Sequence, residues 1–573
     1  MKKLLVANRG EIALRIIRAA RDHGAASVAI YSDEDAGALH AELADEAWGL
    51  GTGRARETYL DIDRIIGIAR RAGADAVHPG YGFLSERPEF AQAVLDAGLV
   101  WVGPPPAVIA ALGDKIEARR IAQAVGAPLV RGSDGPLTSG AEAVDFARQV
   151  GLPIAIKAAF GGGGRGMRIA REMDEVAELF DAATREATEA FGRGECYAEQ
   201  CLDRPRHIEA QVLADRHGHV VVLGTRDCSL QRRNQKLVEE APAPFLTPDQ
   251  RDRIHKAAAD ICRHAGYVGA GTVEFLMSQD GVISFLEVNT RLQVEHCVTE
   301  ETTGIDIVTW QLRIADGEAL TVTQTPQPLG HSIEFRINAE DSGRGFLPTP
   351  GLIRRFRAPE GPGVRLDSGV GTGSSVSALY DSLMAKLVVT GPDRDTAIRR
   401  ARRALSEFVI EGPATVLPFH RAILQEPDFT AENGFRVHTN WIETEFSGLP
   451  PADRVPPADP ALIRSFVEID GRRHSLALPA GLFAQMPGAD DTTPPVEAGD
   501  DGDILAPMPC LLQKWLVAEG ETVAPGQAVA VIEAMKAETP ITAGRAGQLH
   551  RIAPSGETLA AGARLGLIRP APA

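Results

Sequence analysis

Three groups of residues carry chemistry beyond packing, and the first is a pair of carboxylates. Residues 271–277 (Gly-Thr-Val-Glu-Phe-Leu-Met) and 282–289 (Val-Ile-Ser-Phe-Leu-Glu-Val-Asn) flank Ser278-Gln279-Asp280-Gly281 and read as a hairpin with a four-residue loop. In the simplest register Glu274 faces Phe285 and Glu287 lies diagonally across on the same face, with side-chain bases roughly 7–8 Å apart. Asn289 shares that face. Burying two carboxylates and an amide without partners is costly. A hard divalent cation such as Mg²⁺ (or Mn²⁺), which takes oxygen ligands and keeps contact with phosphates, would offset that cost. Taken alone, the hairpin is equally well explained by solvated glutamates on a wet face. Directly after it, Arg291, Gln293 and Glu295 stand at alternate positions, followed by His296. An arginine can hold a small carboxylate-like anion bidentately, and a glutamate beside it can act as a general base. His296 is read as structural.

The second group is glycine-rich: Ile154-Ala155-Ile156-Lys157-Ala158-Ala159-Phe160-Gly161-Gly162-Gly163-Gly164-Arg165-Gly166-Met167. Gly161, Gly163 and Gly166 fit GxGxxG, but a dinucleotide site requires strand, loop and then helix. Here Met167-Arg168-Ile169-Ala170 reads as a second strand, so the loop is a flap whose backbone N–H groups can close over phosphates. Lys157 and Lys115 are placed to neutralise them; the plain alternative is a surface hairpin with ordinary lysines. The third group is Lys536, in Glu533-Ala534-Met535-Lys536-Ala537-Glu538. Val- and Ala-rich strands precede it and Thr539-Pro540-Ile541 resumes after it, which puts the lysine at the tip of a turn.

These groups need elements to position them. The chain has 573 residues, enough for several folding units. In the first 110 residues short apolar runs alternate with helical patterns: strands over 3–7, 27–31, 74–78 and 99–102, and a helix over 11–23 stopped by Gly24. That alternation implies a parallel α/β unit. The division expected from the sequence is an N-terminal α/β domain over 1–113, a region with the flap over 114–330, a further unit over 331–447, a Pro/Asp/Ala/Gly-rich linker over 448–502 and a small all-β domain over 503–573. Within the linker, residues 465–478 read as a strand pair turning at Asp470-Gly471. The net charge of −17 argues against a nucleic-acid partner. No stretch of 18 apolar residues predicts a membrane span, and the apolar start at Met1 stops too early for a signal peptide. The six cysteines are scattered and form no CxxC pair, so they read as thiols of a reducing cytoplasm.

In several separate blocks the sequence resembles the biotin carboxylase family of ATP-grasp enzymes: Ala7-Asn8-Arg9-Gly10-Glu11-Ile12-Ala13, His78-Pro79-Gly80-Tyr81-Gly82-Phe83-Leu84-Ser85-Glu86, the flap, Arg226-Asp227-Cys228-Ser229, residues 287–296 and Arg336-Ile337-Asn338-Ala339-Glu340. The resemblance covers about residues 1–445. It implies a multidomain α/β and α+β architecture with an ATP-grasp catalytic region. By the same resemblance Lys115, Lys157, His207, Gln231 and the flap glycines Gly161, Gly162, Gly163 and Gly164 contact ATP, and Glu199 and Leu202 lie at the adenine. Glu274, Glu287 and Asn289 hold Mg²⁺, and Lys236, Arg291, Gln293 and Val294 surround bicarbonate. Glu295 is the base, and Arg336 stabilises the biotin enolate. The sequence departs from the family at Gln200, Asn234 and Phe160, none of which is a metal ligand or the base.

The Ala-Met-Lys block resembles the attachment site of biotin carboxyl carrier domains, which implies an all-β barrel-sandwich fold with biotin on Lys536. Lipoyl domains share that fold but typically carry Asp-Lys-Ala. Here Ala537 stands where a second methionine is common. Taken together the resemblance implies the α subunit of an acyl-CoA carboxylase: a cytoplasmic ligase that carboxylates its own biotin from ATP and bicarbonate. It would work with a biotin protein ligase and a separate carboxyltransferase β subunit, its carboxylase portion forming a homodimer. The alternatives are the equivalent subunit of a pyruvate carboxylase, another ATP-grasp ligase, and a carrier and assembly subunit with a dead nucleotide site.

Overall fold

The computed structural model describes residues 1–133, 135–159, 167–432, 434–447, 462–469, 472–479, 502–535 and 537–569. The flap residues 160–166 and Lys536 lie outside them.

The N-terminal strands Lys3–Val6, Ala26–Ser32, Glu46–Gly51, Ala76–His78 and Val100–Trp101 form a five-stranded parallel sheet with Lys3–Val6 at its centre. Helix Gly10–His23 buries Ile12, Ile16, Ala19 and Ala20. It ends at Gly24, whose φ of 85° forms the left-handed cap that a side chain would disfavour. An eight-stranded antiparallel sheet follows, ordered Ile283–Asn289, Gly269–Met277, Arg206–Ala214, Val220–Arg232, Gln235–Ala241, His331–Asn338, Leu383–Gly391 and Val364–Ser368. Because Gln235–Ala241 pairs directly with His331–Asn338, the sheet runs unbroken past residue 330. A three-stranded sheet, Met167–Ala170, Ile154–Ala158 and Cys196–Gln200, backed by helices Gly140–Val150 and Val176–Phe191, carries the two strands on either side of the glycine loop. Leu462–Ile469 pairs with Arg472–Pro479 as the expected hairpin, its turn residues 470 and 471 outside the described set. At the C-terminal end two four-stranded sheets enclose a small aliphatic core of their own, including Leu512, Val529, Ile532, Leu549 and Ile568.

The carboxylate hairpin differs from the simplest register. Glu274 lies directly opposite Glu287, while Phe275 pairs with Phe285, so Leu286 is an extra residue, a β-bulge. Side-chain parity explains it. In an unbroken strand Phe285 and Glu287, two residues apart, would share a face. The bulge turns Phe285 into the core beside Phe275, with ring centroids 6.3 Å apart, and leaves both glutamates on the other face.

The large sheet also carries a hydrogen-bonded triad of Glu240, His331 and Arg394. Glu240 accepts from His331 at 2.6 Å and from Arg394 at 2.7 and 3.0 Å. Burial raises its pKa, but Arg394 and His331 outweigh that and bring it down to about 2. A depressed carboxylate pKa contributes stability above its unfolded value and loses it as pH falls through the folded one. The triad therefore weakens between about pH 4.5 and 2. Glu240→Gln is expected to lower the thermal midpoint at pH 7, and the gap from wild type should close as the pH approaches 2. A gap independent of pH would remove this assignment.

Candidate active site

One cavity of about 610 Å³ gathers the chemistry predicted from the sequence. Its lining includes Lys115, Lys157, Glu199, Leu202, His207, Gln231, Lys236, Glu274, Glu287, Asn289, Arg291, Gln293, Val294, Glu295 and Arg336. Every candidate site residue within the described set is thus in a single place. Gly161, Gly162, Gly163, Gly164 and Lys536 fall outside that set. A second cavity of about 700 Å³ lies around Phe245 and Arg394, but its polar groups His331 and Arg394 are already bonded to Glu240.

The floor of the site is a cluster of buried charges. Glu295 immediately precedes the helix His296–Thr303 and is fully buried. It accepts from Lys236 Nζ at 2.9 Å and from Arg336 Nη2 at 3.0 Å. Burial would raise its pKa; Lys236, Arg336 and Arg226 outweigh it and hold the carboxyl well below the usual range, so the group is ionised and able to accept a proton. Lys236 reaches further, to Glu274 at 3.0 Å and to Glu209. Arg226 lies beneath, bonded to Glu209 at 2.9–3.0 Å and to Gln211, Thr272 and Thr299. Arg336 is shared between Glu295 and Glu239, and burial pushes the Glu239 carboxyl up to about 7.

The wall above is built for cations and anions in turn. Glu274 Oε1 accepts from Asn289 at 2.8 Å and Gln293 at 2.9 Å, and Oε2 lies 2.9 Å from His207 Nε2. Opposite it, Glu287 makes no hydrogen bond or ion pair among the described residues; burial and the charge of Glu274 raise its pKa. An unpartnered carboxylate facing a second carboxylate and an amide is a donor set of hard oxygens that fits Mg²⁺. Arg291 is held by Glu86 at 3.0 Å, Asn289 at 2.9 Å and Gln293, so its guanidinium is pre-oriented at the cavity edge. On the lid side, Glu199 is bonded to Lys157 and, at 3.2 Å, to Arg119, while Lys115 opens the helix Lys115–Ala124, capped by Asp114.

Several members of this cluster were given no role from the sequence. Glu209, Arg226 and Glu239 are central to the charge balance, and Tyr81, Asn338 and Asp381 line the cavity. A signal for Glu209 existed: His207, Glu209 and Gln211 alternate with Ile208, Ala210 and Val212 along a strand that is buried on both faces.

The C-terminal β domain is seated on this cavity. Ala534 pairs with Ala537, and Met535 stands in the turn that follows Ala534. Met535, at φ 49°, donates its N–H to the Ala378 carbonyl at 3.1 Å, is 5% exposed, packs with the core of residues 331–447 and lines the cavity. Leu347 packs against the core of the small domain, and Arg54 Nη2 donates to Thr558 Oγ1 at 3.0 Å.

A large antiparallel sheet under a three-stranded lid, with a carboxylate and lysine site between them, defines an ATP-grasp enzyme joined to a β-barrel carrier. Comparison with known proteins agrees. Residues 1–109 match "Biotin carboxylase, N-terminal domain", 114–323 "Carbamoyl-phosphate synthase L chain, ATP binding domain", 334–444 "Biotin carboxylase C-terminal domain" and 502–568 "Biotin-requiring enzyme". The biotin-dependent acyl-coenzyme A carboxylase alpha3 subunit of Mycobacterium leprae is 55% identical over 96% of both chains. Pyruvate carboxylase 1 of Caenorhabditis elegans is 48% identical over 74% of this chain and 37% of its own. The biotin carboxylase domain dimer of Hydrogenobacter thermophilus 2-oxoglutarate carboxylase, solved with MgADP, ADP and bicarbonate, superposes with a TM-score of 0.73 at 45% identity, over 77% of this chain and 97% of that one. The chain therefore belongs to the biotin carboxylase family and carries its own biotin carrier domain.

Removing Lys236 would leave Glu209, Glu274 and Glu295 facing one another. Breaking a buried ion pair by removing one partner costs about 3–5 kcal/mol, so Lys236→Met is expected to lower the urea midpoint markedly. An unchanged midpoint would show that the three carboxylates do not depend on it.

Proposed function

We propose that this chain uses MgATP and bicarbonate to carboxylate biotin attached to Lys536, and supplies the carboxyl group to a separate carboxyltransferase β subunit, which transfers it to an acyl-CoA. The observation that carries the reading is the carrier turn inserted at Met535 into the cavity whose floor holds the ionised Glu295. Full-length similarity to an acyl-CoA carboxylase α subunit, carrier domain included, supports an acyl-CoA acceptor over pyruvate.

Lys115, Lys157, His207, Gln231 and the glycines Gly161–Gly164 would hold the ATP phosphates, with Glu199 and Leu202 at the adenine. Glu274, Glu287 and Asn289 would hold Mg²⁺ (or Mn²⁺), which neutralises charge on the transferring phosphoryl group. Lys236, Arg291, Gln293 and Val294 would surround bicarbonate. Glu295 takes its proton; the oxygen freed of that proton attacks the γ-phosphorus in line, ADP leaves, and carboxyphosphate forms. Lys236 then has two duties. Turning toward the anion, it releases part of its grip on Glu295 and so makes the carboxylate a stronger base. Carboxyphosphate breaks to CO₂ and phosphate, and the phosphate accepts the proton that biotin gives up. Biotin supplies the ureido nitrogen that takes CO₂. Arg336, anchored by Glu239, holds the negative charge developing there. Water must be excluded while CO₂ is free, and the lid strands and the seated carrier turn close the cavity from two sides. A biotin protein ligase as the modifying partner, a homodimeric carboxylase portion and a cytoplasmic setting, with all six cysteines free, complete the proposal.

Three measurements check it. Glu295→Gln or Arg291→Ala should lower bicarbonate-dependent ATP cleavage by roughly 10²–10⁴-fold while ATP still binds; wild-type turnover in either would discard the roles assigned. The intact mass should show one biotin per chain, absent in Lys536→Ala; retained biotin would refute the attachment site. Leu347→Asp should slow carboxylation of the tethered biotin while leaving ATP cleavage driven by free biotin unchanged; equal loss of both would show that the seated carrier is not the productive one.

A further inference from the structure

Lys386 is a fully buried lysine that none of the assigned steps uses. It sits in the strand Leu383–Gly391, directly opposite Arg336 on one side and Asp367 on the other. Its ammonium donates to the Val294 carbonyl at 2.7 Å, lies 3.3 Å from Glu11 Oε1 and contacts Cys297 Sγ at 3.3 Å. The Val294 carbonyl belongs to the peptide that leads into Glu295, so this bond sets where the base begins. A second clamp acts one residue earlier: His296 Nδ1 bonds the Gln293 carbonyl at 2.8 Å. Because a carbonyl can only accept, Nδ1 carries the hydrogen of this bond; burial, helped by the charge of Lys386, pushes His296 down to about 3 and keeps the ring neutral. Two successive carbonyls of the loop bearing Gln293, Val294 and Glu295 are therefore held from behind. The other end of the lysine's grip is in a different part of the chain. Glu11 lies in the first turn of helix Gly10–His23, and its carboxylate also accepts from Tyr81, whose ring lines the active cavity and lies 5.9 Å from the ammonium.

We infer that Lys386 is a positioning residue for the bicarbonate site: it fixes the Val294–Glu295 peptide and, through Glu11, ties that peptide to the N-terminal sheet domain. The inference rests on the assignment of bicarbonate to Arg291, Gln293 and Val294. A buried ammonium satisfied by a carbonyl and a carboxylate holds its geometry far more firmly than a neutral bond would, because breaking it leaves an uncompensated charge. The consequence is specific. Loss of Lys386 should relax the anion-binding loop and the base, while the ATP contacts, on the lid and on Glu274 and Glu287, keep their own supports.

The test uses the full-length biotinylated protein, with initial rates of bicarbonate-dependent ATP cleavage at varied bicarbonate and, separately, at varied MgATP. Lys386→Met is expected to raise the KM for bicarbonate roughly ten- to a hundredfold and to leave the KM for MgATP within about twofold, with Lys386→Arg recovering part of the loss. Equal rises in both constants, or none in either, would overturn the proposal. If Arg291→Ala loses its bicarbonate response while Lys386→Met behaves as wild type, the positioning role fails and the site assignment survives; if both behave as wild type, the site assignment itself fails. Should Lys386→Met not fold because Glu11 is left unpaired, Glu11→Gln/Lys386→Met removes that charge and the same split is expected. Glu11→Gln, which keeps the bond to Val294 and frees its anchor, is expected to raise the bicarbonate KM several-fold with the MgATP KM unmoved. An unchanged bicarbonate KM in either of these variants also overturns it.

Discussion

The structure depends on a sheet face that carries charge where most sheets carry apolar side chains. Each of the eight strands of the central sheet contributes an ionisable residue: Glu287, Glu274, Glu209, Arg226, Lys236, Arg336, Lys386 and Asp367, in spatial order. The majority are buried, and isolated burial of any one would be prohibitive. They persist because each cation meets at least one carboxylate, and two of them bridge several: Lys236 joins Glu209, Glu274 and Glu295, and Arg336 joins Glu239 and Glu295, while Arg226 pairs with Glu209 and Lys386 with Glu11. The balance is incomplete. Glu239 is lifted to about 7, and Glu334, behind Lys386, is raised well above the usual range by burial and by neighbouring Glu239. A site with surplus carboxyl groups beside an unpartnered Glu287 accepts cations readily; its arginines and lysines, pre-oriented but shared, can be turned toward an anion without being created by it.

The continuity of that sheet has a mechanical consequence. Lys236 and Arg336 stand 100 residues apart in the chain, yet their strands Gln235–Ala241 and His331–Asn338 are hydrogen-bonded neighbours. Glu295 is thereby held between Lys236 of one strand and Arg336 of the next, and the placing of its two cationic partners is set by inter-strand spacing rather than by loop packing. The strands on either side of the glycine loop sit on a small core of their own, separate from that of the large sheet.

Legibility in the sequence followed length scale. The alternating N-terminal strands, the helix ended by Gly24 and the strands on both sides of the glycine loop were readable because each is fixed by local period and one punctuating residue. The face shared by Glu274, Glu287 and Asn289 was readable for the same reason. Their register was not: the bulge at Leu286 answers to a demand from the other side of the sheet, that Phe275 and Phe285 both enter the core, which no period within the strand reveals. Arg226 and Glu239 were invisible as site residues because nothing local distinguishes a buried charge from an exposed one; their partners Glu209 and Arg336 are 17 and 97 residues away. The seat of the carrier turn against Ala378, Leu347 and Arg54 is likewise a property of surfaces that meet only after folding.

That seat bears on why the carrier is tethered. A short-lived intermediate is lost if the acceptor must first diffuse in, and a tether raises the effective acceptor concentration to roughly the millimolar range. Tethering alone gives proximity without orientation. The Met535 N–H bond to Ala378 and the burial of its side chain against the carboxylase core add orientation, since they fix the backbone immediately before Lys536 at the cavity mouth. Among the described residues the contacts are few: one main-chain hydrogen bond, one apolar side chain on each partner and one arginine–hydroxyl bond. A larger interface would orient the carrier equally well and would hold it after the carboxyl group had been taken up, when it must leave for a second site. A small seat around a deeply inserted turn meets both requirements, with specificity concentrated in the residue next to the lysine and release left inexpensive.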